Sequence, residues 1–132
     1  MNNYESLVQD FHKAMEMDIN APYSKDLLLL RQKLINEEVS EFNAEVDTLI
    51  QELSKTGQIL PETKLKMFKE LADIQYVLSG MAVTFGIPLE EVFNRVHQSN
   101  MSKLVNGKPL KREDGKVLKG PNYQKPDLSD LA

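Results

Sequence analysis

Apolar residues recur at spacings of three and four near the N-terminus. Tyr4, Leu7, Val8, Phe11, Ala14 and Met15 form one stripe and predict an amphipathic helix over residues 3–16. The following "DINAPYS" carries Pro22 and several turn formers and predicts a loop. Ser24 is suited to cap what comes next, because its hydroxyl can accept from the unpaired N–H groups of a helix start. A second helix is expected from about Lys25 to about Lys55, ending near Gly57, with Val39, Phe42, Val46, Leu49, Ile50 and Leu53 as its core stripe. Pro61 fits the first turn of a third helix, since its missing N–H has no partner there in any case. That helix is expected to reach Phe85, and from Leu71 onward it is apolar on nearly every face, which predicts burial. Gly86 stops it. Pro88 then opens a fourth helix over about 88–99, with Leu89, Val92, Phe93 and Val96 inward. The pattern predicts an all-α bundle of four main helices.

The character changes after Asn100. The remainder is rich in Gly, Pro and Lys, and Asp114-Gly115 is placed to turn a small hairpin between "PLKR" and "KVLK". With 132 residues and no internal repeat, one domain is expected, with a helical core over about 3–100 and an arm over about 101–132. A long second helix and a third that is apolar all round exceed what so short a chain can bury alone, and they point to a homodimer or homotetramer.

Composition narrows the chemistry. The chain has no cysteine, which excludes disulfides, thiolate zinc sites and cysteine nucleophiles. Its net charge of −4 argues against a general affinity for nucleic-acid polymers. The N-terminus shows no basic region followed by an apolar core, so no secretory signal is expected, and a cytoplasmic location fits. No apolar run approaches the roughly 20 residues of a membrane span.

Against this background the acids stand out. "LINEEVSEF" sets Glu37, Glu38 and Glu41 within an apolar helical pattern, with Glu38 and Glu41 three apart on one face. "KELADIQYVL" sets Glu70 and Asp73 three apart at the head of the apolar stretch of the third helix. If the two helices pack antiparallel, four carboxylates converge. Acids on a helix usually face water, and salt bridges to Lys69, Lys66 or Arg31 are the plain alternative. Two acid pairs brought together repel unless a cation lies between them, and an all-oxygen set suits Mg²⁺ or Mn²⁺. The Glu-x-x-His pairs of a di-iron bundle are absent, because Gln9 and Asn94 precede His12 and His97 by three. The EF-hand pattern is absent too.

"EEVSE", followed after 28 intervening residues by "ELAD", resembles the E-E-x-x-E … E-x-x-D signature of the all-α nucleoside triphosphate pyrophosphohydrolases. "LRQKLINEE" and "VHQSNMSKL…REDGKVLKGPNY" resemble the phosphoribosyl-ATP pyrophosphohydrolase-like branch of that MazG-like superfamily, over about residues 8–127. The resemblance implies that Glu38, Glu41, Glu70 and Asp73 bind Mg²⁺. It implies that Glu37 positions or deprotonates the attacking water or touches an additional metal. The reaction would cleave the α–β phosphoanhydride of a nucleoside triphosphate, giving monophosphate and pyrophosphate. Phosphoribosyl-ATP pyrophosphohydrolase of histidine biosynthesis is the alternative, and the long arm counts against it. A helical interaction module that keeps the fold without catalysis is the other. Arg31, two turns before Glu38, is a candidate phosphate contact or a structural ion-pair partner. Asn100 and Lys103 lie where the family often places polar substrate contacts. In the arm, Lys116 and Lys119 could bind phosphate and Tyr123 could stack on a base.

Overall fold

The computed structural model describes residues 3–132. Among them are four α-helices: α1 (Asn3–Ala14), α2 (Lys25–Thr56), α3 (Pro61–Phe85) and α4 (Leu89–Met101). One two-stranded antiparallel sheet follows, with β1 (Leu110–Lys111) paired to β2 (Val117–Leu118), and a 3-10 turn (Ser129–Leu131) comes last. The all-α reading of the sequence holds. No single helix is long and apolar enough to cross a membrane.

The ends of the helices follow from local chemistry. The Ser24 hydroxyl accepts from Leu27 N–H at the start of α2, and Pro61 opens α3. Gly57 and Gly86 close α2 and α3 in the left-handed conformation, where a side chain would be strained.

The chain groups into two compact units, the first ending at Ile87 and the second running Pro88–Ala132. α4 therefore groups with the arm, although the pattern assigned it to the helical core. In the first unit α3 is central and packs against both α1 and α2. α2 and α3 form an antiparallel pair. At its loop end the Glu52 carboxylate accepts from Thr63 Oγ1 at 2.5 Å and from Leu60 N–H at 3.2 Å. The link between α1 and α2 is tied to the far end of α3, where Asn20 and Ala21 N–H donate to Val83 and Thr84 O. Beside it Tyr23 stacks on Phe85 with ring centroids 4.5 Å apart.

Burial departs from the pattern in an informative way. The rear of α3 is enclosed, with Ser79, Gly80 and Ala82–Phe85 all buried. Its front is not: Leu65, Phe68 and Leu71 are exposed, Leu71 at 53%. On α1 only Val8 of the expected stripe is buried, together with Glu5 and His12, while Tyr4, Leu7 and Met15 are open. Ser79 Oγ donates to Glu5 Oε2 at 2.7 Å and accepts from Gln75 Nε2, and His12 Nδ1 donates to Asp18 O at 2.8 Å. The Ser79–Glu5 bond joins α3 to α1, and the His12–Asp18 bond ties α1 to the loop that follows it. The apolar stripe is left lining a groove of about 630 Å³ with Phe68, Leu71 and Tyr76. Along α2 the expected core stripe is likewise incomplete, because Leu49 is buried while Ile50 and Leu53 are exposed.

The second unit is an ordered arm. Arg95 of α4 binds Glu91, Asp130 and the Asp127 carbonyl, holding the 3-10 turn to the helix. Gly120 N–H donates to Lys103 O, and Ser102 Oγ is bonded to the Gln124 backbone. The hairpin forms where Asp114-Gly115 placed it, with Arg112 bridging to Asp114. Phe93, expected inward, is 69% exposed.

Candidate metal centre

The antiparallel α2–α3 pair brings the two acid pairs together. Glu38, Glu41, Glu70 and Asp73 each offer a carboxylate oxygen, and these oxygens all lie within 4.8 Å of one another. The i, i+3 spacing on each helix puts both members of a pair on one face, and the packing turns the two faces toward each other. Glu41 is exposed and the other three are half-buried.

The cluster is electrostatically unsettled. Burial, and then the charges of Glu41, Asp73 and Glu70, push the Glu38 carboxyl above the ordinary carboxylate range. Glu70 is raised as well, by burial first, with Lys69 opposing and Glu41 reinforcing. Lys69 supplies the one cation bridging the cluster among the described residues, at 2.7 Å from Asp73 and 3.7 Å from Glu70. It comes from the solvent side with its own side chain 67% exposed. The plain salt-bridge alternative is therefore present in part, yet one solvated ammonium does not balance four carboxylates. Glu38 Oε2 and Glu70 Oε2 are buried without a hydrogen-bond partner. Two orphaned acceptors in an all-oxygen set fit a hard divalent cation, for which these four side chains would serve as ligands.

The remaining candidates fall elsewhere. Glu37 stands off the cluster, exposed and 4.0 Å from Lys33. Its helical position explains this, since one residue is a turn of about 100° from Glu38. Arg31, a candidate phosphate contact or ion-pair partner of Glu38, Glu70 or Asp73, makes no ion pair with those acids among the described residues. It is 4% exposed, its Nε has no hydrogen-bond partner, and burial alone lowers its proton affinity. Its guanidinium lies against α3 at Gly80, close enough that a Cβ there would collide with Nη2. Asn100 is exposed, Lys103 half-buried, and both are in the second unit. Lys119 and Tyr123 meet each other, the ammonium lying 4.6 Å from the ring centroid, and Lys116 N–H donates to Asp114. Glu70 and Asp73, expected on a buried helix, belong instead to the open front of α3, and only the rear of that helix is enclosed.

Sequence reasoning missed the polar contacts of Glu5, Gln75, Ser79 and Gly80. Their one visible signal was the small, polar "SG" pair inside an apolar run.

Set against known families, residues 8–100 match the family described as phosphoribosyl-ATP pyrophosphohydrolase. The match spans most of the chain, includes all four clustered acids and stops before the hairpin arm. No curated protein matches the sequence.

Proposed function

The chain belongs to the phosphoribosyl-ATP pyrophosphohydrolase family, and we propose that it uses a divalent cation to hydrolyse the α–β phosphoanhydride of a nucleotide carrying a triphosphate chain. The observation that carries the reading is the convergence of four carboxylate oxygens within 4.8 Å, two of the side chains with an orphaned buried oxygen. Glu38, Glu41, Glu70 and Asp73 hold Mg²⁺, for which Mn²⁺ is a substitute. The cation, when bound, neutralises phosphate charge and lowers the pKa of water. The protein's own part is to fix the acids in place on two rigid helices, so that charge and orientation are ready before the substrate arrives. The Glu38 oxygen that does not hold the cation would accept a hydrogen bond from the attacking water. Water adds to one phosphorus as the bridging P–O bond breaks, and the products are a monophosphate and pyrophosphate.

The family match favours phosphoribosyl-ATP as substrate. A plain nucleoside triphosphate is the second reading, supported by the hairpin arm, which lies outside the matched residues. Asn100, Lys103, Lys116, Lys119 and Tyr123 in the second unit are the substrate contacts proposed for either. The protein acts as a homo-oligomer in a cytoplasmic setting, and the open groove between α1 and α3 is the surface a second copy covers. Incubation with phosphoribosyl-ATP and with a panel of nucleoside triphosphates, in Mg²⁺ or EDTA, tests the proposal. Pyrophosphate release that is lost in EDTA and in Glu41→Gln is the expected result. Release of orthophosphate instead would sink α–β cleavage, and intact substrates with a normally folded Glu41→Gln would favour a non-catalytic module.

A further inference from the structure

Three helices of the first unit meet at one notch in α3. Ser79, fully buried, receives Glu5 of α1. Gly80 next to it receives Arg31 of α2: a Cβ built there would collide with Nη2, lie 3.2 Å from Cζ and lie 3.7 Å from His12 Nε2. His12 is 2% exposed, so the guanidinium is hemmed in by α1 as well. Among the described residues Arg31 has no carboxylate partner. A buried arginine of that kind is a costly way to fill space. What it provides is shape. A flat plate fits only where α3 has no side chain, and Gly80 is such a place.

The position of this contact is informative. Arg31 lies seven residues before Glu38, and Gly80 lies seven after Asp73. Glu41 and Glu70 are a further three residues along in the same sense. In an antiparallel pair, equal steps along both helices lead to facing positions. The Arg31–Gly80 contact, the Glu38–Asp73 pair and the Glu41–Glu70 pair therefore belong to one register, with the contact about 10 Å from the acids along the helix axis. The Glu52 clamp pins the loop end of α2 and α3. The notch pins the opposite end, and the acids lie between.

We propose that Arg31 and Gly80 form the key that sets the register of α2 against α3, placing Glu38 opposite Asp73 and Glu41 opposite Glu70. Arg31 is on this account a positioning residue. Its link to catalysis rests on the metal-centre reading above, whereas the register itself does not.

The chain has no native cysteine, so nitroxides on Asn43→Cys and Lys66→Cys, both exposed positions, report the α2–α3 register in metal-free protein. The parent should give one narrow distance distribution by pulsed EPR. Gly80→Ala and Arg31→Ala should each displace or broaden it. The double variant should be no worse than Arg31→Ala alone, because the added methyl group on α3 then has no guanidinium to collide with. Mn²⁺ titrated calorimetrically without nitroxides should bind about tenfold more weakly in each single variant, again without addition in the double. Unchanged distances in both single variants overturn the proposal, and so do effects that add. Should both alanine variants fail to fold, Arg31→Lys carries the measurement, since it keeps the charge but loses the plane. A broadened distribution then supports the key, and an unchanged one overturns it. If the parent takes up no Mn²⁺, the metal-centre reading fails while the distances still decide the register.

Discussion

The two halves of α3 differ in composition and in fate: the front carries all six of the helix's charged residues and the rear none. From Ser79 to Phe85 the helix is closed in by both neighbours, and the residues that reach deepest are small or hydroxylated: Ser79, Gly80, Thr84. In the front half Leu65, Phe68 and Leu71 face solvent while Glu70 and Asp73 are half-buried. Hydropathy alone predicts the enclosed rear, but not that Leu65, Phe68 and Leu71 lie open beside half-buried acids. Burial in this fold follows how closely two backbones approach, which small residues permit and large ones prevent. The enclosed half supplies stability. The open half carries the acid cluster and lines the apolar groove.

This contrast can be broken at several points. Phe85→Ala strikes the enclosed half, removing a ring that stacks on Tyr23, and should cost about 3–5 kcal/mol by urea unfolding. A loss below about 1 kcal/mol would mean the rear of α3 is no more a core than the front. Asp73→Asn strikes the open half and should leave stability nearly intact while lowering pyrophosphate release and Mn²⁺ affinity at least about 100-fold. Normal turnover in that variant would remove the acid cluster from the mechanism. Leu71→Glu, at a half-exposed site in the groove, should shift the protein toward monomer in light scattering while its helical content is kept. Unchanged mass would remove the groove as an interface between copies.

The smallest effect is electrostatic. Glu38 and Glu70 hold protons more tightly in the fold than in the unfolded chain. The fold therefore binds more protons just above the ordinary carboxylate range, and stability falls as pH rises through that window. Asp114, Asp127 and Asp130 are shifted downward by Arg112, by Ser129 and by Arg95 respectively, so their contribution is lost only at lower pH. In EDTA the melting temperature should rise by a degree or two, roughly, as pH drops from about 7 to about 5. Mg²⁺ should remove that slope by occupying the cluster. A slope of opposite sign would mean the acids are not crowded.

Much of this was legible beforehand. Helix spans came from spacing and from Ser24, Gly57, Pro61 and Gly86, because caps and breakers act through their own backbone. The acid pairs came from i, i+3 spacing, which fixes a helix face in any context. The packing of Arg31 was not legible because its sequence neighbours say only which stripe it occupies. That it lies against Gly80, 49 positions away, depends on packing. The stripe of α1 gave the helix but not which of its residues the neighbouring elements enclose. Glu5, Val8 and His12 are the residues of α1 that are buried, Glu5 meeting Ser79 of α3 and His12 the Asp18 carbonyl. The sequence by itself determined the helices, their order and which acids share a face, since those depend on residues a few positions apart. The tertiary structure alone decided that four acids meet, that Glu37 stands aside and that an arginine lies in the core, since each of these depends on which faces two separate helices turn to one another.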